Sequence, residues 1–162
     1  MRMKKTHTTK RRTVKGDRVR RAKTLKHRPS PVRHMNAAKK SRIVRTFIEI
    51  LNTVKLYHWK TRSYAQHKAT DELYERLNET IDKFVETLLG KDESRVAMIE
   101  KQMSPMDSEN EKDFKKRIYA FRKFLTELDL HFDAKQDSDL LSIRDEILSN
   151  VNQFLYLMTF NK

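Results

Sequence analysis

The sequence contains no cysteine, and only 2 of its 162 residues are glycine and 3 are proline. Without cysteine the chain can form no disulfide, no cysteine-ligated zinc site, no iron–sulfur cluster and no thiol nucleophile. Scarce glycine and proline, beside 36% charged residues and 9% aromatics, are typical of a helical protein. The length suits one domain with a sizeable core.

Long apolar runs are also missing. No segment approaches the ~20 consecutive apolar residues that span a bilayer. The charged N-terminus lacks the apolar region of a secretory signal. We therefore expect no membrane partner and an intracellular protein.

Basic residues are concentrated at the N-terminus. Residues 1–34 hold 14 Lys or Arg and one acid, Asp17, for a net charge of +13, whereas residues 35–162 hold 22 bases and 21 acids, for +1. The first segment has too few aliphatic side chains to offset the entropy of ordering it. We expect residues 1–34 to be a disordered tail and residues 35–162 to be the folded body.

Such a tail binds polyanions by releasing counterions from phosphates, without regard to sequence. The alternative is a tail for solubility or localisation, and "KRRTVKGDRVRRAK" could serve as a nuclear address. The candidate nucleic-acid contacts are Lys4, Lys5, Lys10, Arg11, Arg12, Lys15, Arg18, Arg20, Arg21, Lys23, Lys26, Arg28 and Arg33.

Apolar spacing in the body predicts four helices, over about 36–60, 65–89, 111–131 and 138–159. Gly90 is expected to stop the second helix, and Asp137 or Ser138 to cap the fourth. The polar stretch 91–110 predicts at most one short helix near 96–103, with a break at Pro105. Short joints on either side of this long connection favour a four-helix bundle.

Polar residues of the metal-ligating kinds border the apolar stripe of the second helix. At ~100° per residue, His67, Asp71 and Asp82 lie within about 60° of one another, and Glu86 lies about 40° further round. His58 falls on the apolar stripe of the first helix. Taken singly, a buried histidine is more often a hydrogen-bonded core residue, and helix-surface acids are usually solvated.

Taken together, His58-Trp59, His67-x-x-x-Asp71 and Asp82-x-x-x-Glu86 resemble the ferroxidase signature of the DNA-protecting mini-ferritins, the Dps family. "DSDLLSIRDEILSNVNQFLYLM" resembles the last helix of that family's bundle, and the resemblance covers about residues 40–160. It implies an all-α, ferritin-like up-down bundle with a long crossover between the second and third helices.

The resemblance also implies a di-iron site between two chains, in which His58, His67 and Asp71 of one chain face Asp82 and Glu86 of its twofold mate. Imidazole and carboxylate ligands suit Fe(II). Trp59 would lie beside the site; the alternative is a packing residue at an interface. The implied assembly is a homo-oligomer, at least a twofold dimer, with a dodecameric shell as the larger form.

Two functions follow as expectations. One is a ferroxidase that stores iron and holds DNA through its tail, near the genome in a nucleoid, nucleus or virion. The other is a genome-packaging or particle-structural protein that keeps the bundle as a scaffold without ferroxidase activity and contacts other particle proteins.

Overall fold

The structure, a computed structural model, describes residues 35–103 and 106–160. Its described part is all-helical, without a strand. The four α-helices are α1 (Ala37–Lys60), α2 (Tyr64–Gly90), α3 (Glu111–Glu127) and α4 (Ser138–Leu157), and a short 3-10 turn, Leu128–Leu130, follows α3. The prediction of four helices is confirmed. Within the described ranges, no helix combines the length and apolarity that crossing a bilayer requires.

Short polar side chains cap the N-termini of the first three helices. The Asn36 side chain accepts a hydrogen bond from the Ala38 amide at 2.8 Å, and that of Asn110 accepts one from the Asp113 amide at 3.0 Å. Such contacts satisfy amide groups that have no partner within the helix. Asp137 occupies the N-cap position of α4, as predicted, but its side chain makes no capping bond.

Two predicted helix ends, those of α2 and α3, are wrong. Gly90 is the last residue of α2 rather than the stop beyond it, and the positive φ (52°) that follows the helix belongs to Glu93. No helix forms in 96–103, and the Ile99 amide donates to the Ser41 hydroxyl of α1 instead. The third helix ends at Glu127, because the chain tightens into the 3-10 turn. Pro105 lies outside the described residues.

The apolar stripes of all four helices meet in one core. Aromatic rings form its centre: Phe47 contacts Phe84 edge-on, with ring centroids 5.3 Å apart, and also Phe121 at 6.1 Å. Each of the four helices contributes buried apolar side chains to it. The largest fully buried side chains are Phe47, Phe84, Phe114, Leu77, Ile118, Leu125, Leu128, Leu140, Ile147, Met158, Val54 and Val151.

The connection between α2 and α3 runs lengthwise along α1. Its start contacts the beginning of α1, where Lys40 forms a buried ion pair with Asp92. Its middle pairs Glu100 with Arg45. Its end reaches the end of α1, where Lys60 donates to Asp107 at 2.7 Å and to the Ser108 carbonyl at 2.8 Å.

Because this crossover returns the chain to the end of the bundle where α2 began, α3 runs parallel to α2. Helix α1 packs against α2 and α3, and α4 packs against the same two helices. The bundle therefore consists of two antiparallel hairpins, α1–α2 and α3–α4. The connection between α2 and α3 is the longest of the three that join the α-helices.

Candidate metal site

Two of the predicted ligands lie together at the joint between α1 and α2. His58 is in the last turn of α1 and His67 is in the first turn of α2, and their rings stack with centroids 3.9 Å apart and an interplanar angle of 23°. His58 is 6% exposed, as its place on the apolar stripe predicts. The joint has only three residues outside helical geometry, so the two rings face each other across a short turn.

Each ring is oriented by the backbone of the other histidine. The Nδ1 atom of His58 lies 3.0 Å from the His67 carbonyl oxygen, and the Nδ1 atom of His67 lies 3.1 Å from the His58 carbonyl oxygen. A carbonyl can only accept a hydrogen bond, so both Nδ1 atoms must carry protons. In the neutral rings both Nε2 atoms therefore hold lone pairs. This is the arrangement that metal-ligating histidines adopt, with the second nitrogen donating to a carbonyl.

Asp71 completes this half of the predicted site. Its Oδ1 atom lies 3.7 Å from the His58 Nε2 atom, which is too far for a hydrogen bond. Two metal–ligand bonds of about 2.1 Å, meeting at about 110–120°, would place a nitrogen and an oxygen roughly 3.4–3.6 Å apart. The observed distance is slightly longer than this spacing, and the two atoms are of types that ligate metals.

A lysine that the sequence did not single out also faces Asp71. The Lys55 ammonium lies 3.8 Å from the Asp71 Oδ1 atom and over the rings of Tyr74 and Trp59, 4.7 and 5.7 Å from their centroids. Its position three residues before His58, on the same face of α1, was the signal available in the sequence. This ammonium lies close enough to offset part of the Asp71 charge.

Buried polar contacts hold the α1–α2 joint in register. Tyr57 donates to the Gln66 side-chain oxygen at 2.8 Å, and the Gln66 amide donates to Glu111 of α3 at 2.7 Å. Burial, and then the charge of Glu111, raise the pKa of Tyr57. The hydrogen bond from Lys115 lowers the pKa of Glu111. Since Tyr57 and Gln66 directly precede the two histidines, these contacts align the histidine rings.

The other two predicted ligands lie elsewhere on α2. Asp82 and Glu86 are exposed and have no ion-pair partner among the described residues. Eleven residues separate Asp71 from Asp82, which is about 16 Å along a helix. One chain therefore does not bring the five residues together. Nor does any group of three or more His, Asp or Glu side chains in residues 35–103 and 106–160 form a site that could hold a metal.

The other predicted residues are Trp59, which lies at the surface, and the basic candidates of the N-terminal segment. Trp59 is 69% exposed and lies next to His58 at the molecular surface, a position open to a partner chain. Thr70, which the sequence did not single out, approaches the His58 Nδ1 atom at 3.3 Å. All thirteen basic candidates, from Lys4 to Arg33, lie outside the described residues.

Fold and site define an all-helical, four-helix-bundle protein with a histidine pair beside a carboxylate at one helix joint. The chain belongs to the DUF5856 family, a family of unknown function, whose model matches residues 58–158. The match begins at His58 and includes all five predicted ligands. No curated protein and no solved structure matches the chain.

Proposed function

We propose that this protein is a Dps-like mini-ferritin, which binds and oxidises iron at a site shared by two chains and binds DNA through residues 1–34. In this proposal His58, His67 and Asp71 form one half of the site. Asp82 and Glu86 of a twofold partner form the other half. Iron is the substrate and the stored cargo, and DNA is the partner of the tail.

The observation that carries the proposal is the orientation of the histidine pair. Both Nδ1 atoms are engaged by carbonyl oxygens, at 3.0 and 3.1 Å, so both Nε2 atoms are left as donors to a metal. The nearby Asp71 adds the carboxylate that Fe(II) favours beside imidazole.

The path of the chain supports a ferritin-like topology. Ferritin-like bundles differ from simple up-down bundles in having one long crossover. Here the connection between α2 and α3 follows α1 from Lys40 to Lys60. Two antiparallel hairpins joined in this way have the helix directions of a ferritin-like fold.

The distribution of ligands along α2 supports a shared site. The half-sites lie about 16 Å apart on one helix, and a twofold axis that passes between them would set each half opposite the other half of the partner. Three carboxylates would then meet at each site, and a bound cation would relieve their mutual repulsion. Each Fe(II) gives up one electron, and two such ions reduce one hydrogen peroxide with two protons to two waters.

One observation favours the second candidate, a genome-packaging or particle-structural protein without ferroxidase activity. The Lys55 ammonium already neutralises Asp71 from 3.8 Å, so the half-site needs no metal for charge balance. In that case the bundle is a scaffold, and Lys55, Tyr74 and Trp59 form part of a packing surface.

Complementation between two inactive chains tests the shared site. His67→Ala damages one half-site and Asp82→Asn damages the other. In a mixed dimer one site then carries both defects and the other carries none. We expect each variant alone to lose Fe(II) oxidation and the co-expressed mixed dimer to regain about half of the wild-type rate.

The matched control is a mixture of His67→Ala with Glu79→Gln, an exposed carboxylate on α2 without an ion-pair partner among the described residues. Here an intact half-site pair also forms, while Glu79→Gln alone stays active. If the His67→Ala and Asp82→Asn mixture stays inactive although mixed dimers form, the site is not shared. If wild-type protein neither binds nor oxidises Fe(II), the scaffold function stands.

A further inference from the structure

The near-neutral body separates its charges by helix. Helices α1 and α3 each carry six Lys or Arg, against one acid in α1 and three in α3. Helix α2 carries six acids against three bases, and α4 carries three acids against one base. Since α1 packs beside α3 and α2 packs beside α4, one side of the bundle is positive and the opposite side is negative.

Most of the α1 cations are already neutralised. The crossover supplies Asp92 to Lys40, Glu100 to Arg45 and Asp107 to Lys60. Two exposed cations of the first turns, Lys39 and Arg42, have no acidic partner among the described residues. The unpaired positive charge of α1 therefore lies at the beginning of the helix, on Lys39 and Arg42.

The exposed face of α3 keeps its charge. Lys112, Lys116 and Arg122 are exposed and have no acidic partner in the described part of the chain. Lys123 reaches Glu127 only at 3.6 Å, between two well-exposed side chains, where water screens the attraction. Tyr119 is 48% exposed, and the Arg122 guanidinium lies over its ring, 4.9 Å from the centroid.

These side chains form one stripe opposite the core. At ~100° per residue, the five stripe positions fall within about 120° of one another, on the face away from Phe114 and Ile118. They are Lys112, Lys116, Tyr119, Arg122 and Lys123. The stripe is about 16 Å long, since eleven residues separate its ends. One nucleic-acid strand carries a charge every ~3.4 Å of duplex axis, so the stripe spans roughly five phosphates.

The C-terminal end of the stripe lies near the first turns of α1. Lys39 and Arg42 share a surface groove with Phe124 and Leu128, near the end of α3. The tail ends at residue 34, directly before α1 begins. The C-terminal end of the α3 stripe therefore lies near Lys39 and Arg42, with Glu127 in the same groove.

We propose that the exposed face of α3, with Lys112, Lys116 and Arg122, is a second phosphate-binding surface that holds the nucleic-acid backbone bound by the tail. This inference rests on the proposed DNA binding by residues 1–34. The phosphates are the ligand because the surface offers unpaired cations and no base-reading geometry. The rigid helix keeps the DNA against the body, which the tail alone does not do.

Three full-length double variants test the inference, and each removes two positive charges. They are Lys112→Gln with Lys116→Gln on α3, Lys10→Gln with Arg12→Gln in the tail, and Lys68→Gln with Lys83→Gln on the acidic α2 as the control. Binding of a fluorescent 20-base-pair DNA duplex is measured from 50 to 300 mM NaCl.

Each lost phosphate contact lowers the slope of log affinity against log salt by about 0.9. The α3 pair should therefore reduce the slope by about 1.8, and the affinity at 0.15 M salt by roughly 30-fold. The tail pair should act similarly and the α2 pair should change little. Lys112→Arg with Lys116→Arg should keep the wild-type slope, because only charge is required.

The outcomes separate the two proposals. If the α3 pair behaves like the α2 control while the tail pair weakens binding, the second surface is refuted and the tail assignment stands. If the tail pair has no effect, DNA binding by the tail fails. If the α3 pair leaves DNA binding unchanged but alters the mass measured by light scattering, the face joins copies of the chain, and the inference is overturned.

Discussion

Asp82→Asn should separate iron binding from folding. Asp82 is exposed and has no ion-pair partner in the described part of the chain, so its replacement should change the free energy of unfolding by no more than about 0.5 kcal/mol. For a chain of this size that is about 1–2 °C in Tm. In a dimer the loss of one carboxylate charge beside Asp71 and Glu86 should make the change neutral or stabilising.

The effect of Fe(II) on Tm should distinguish the wild type from Asp82→Asn. A ligand present at 100 times its Kd stabilises the folded state by about 2.7 kcal/mol, which corresponds to roughly 5–11 °C in Tm. Thermal melts followed by circular dichroism, with and without anaerobic Fe(II), should show this shift for the wild type and for Glu79→Gln. Asp82→Asn should not shift. A wild-type melt that is indifferent to Fe(II) would refute the reasoning.

Two further predictions concern the bundle. Asp92→Ala leaves the buried Lys40 ammonium without its ion-pair partner, so urea unfolding should show a loss of about 3–5 kcal/mol; a double replacement by apolar residues should recover most of it, and equal losses in both variants would contradict this. Glu111 has a pKa lowered by Lys115, so its contribution to stability is complete above the ordinary pKa of about 4.3 and is lost as pH falls through the lower folded value. Urea midpoints from pH 3 to 7 should therefore decline less steeply in Glu111→Gln than in wild type, and parallel curves would count against the contact.

Helical periodicity predicted what depends on burial. The apolar stripes marked all four helices, because residues such as Phe47 and Ile118 must face one core, and they placed His58 inside as well. The same reasoning missed the end of α2, since Glu93 rather than a glycine adopts the left-handed conformation. It also allowed a short helix over 96–103, where none forms, because the Ile99 amide bonds to Ser41 of α1, far away in sequence.

The sequence predicted only some features of the candidate site. Spacing along α2 placed His67 and Asp71 on one face, but it could not show that each histidine bonds to the other's carbonyl, since that contact depends on the turn between two helices. The sequence pattern did not single out Lys55, because a lysine on a helix is usually solvated. The proposed second half of the site would come from another chain, and spacing within one chain cannot test that.

The crossover along α1 has a consequence for how the molecule could be divided. Each side of it is a complete helical hairpin, and the link itself is held to α1 largely by ion pairs and side-chain hydrogen bonds. The loss of covalent continuity there would cost mainly the translational and rotational entropy of bringing two fragments together. Two separately made fragments, one with α1 and α2 and the other with α3 and α4, should therefore reassemble through the shared aromatic core. The histidine pair would lie wholly within the first fragment and the cationic stripe of α3 within the second, so the two surfaces could be labelled, mutated or exchanged independently.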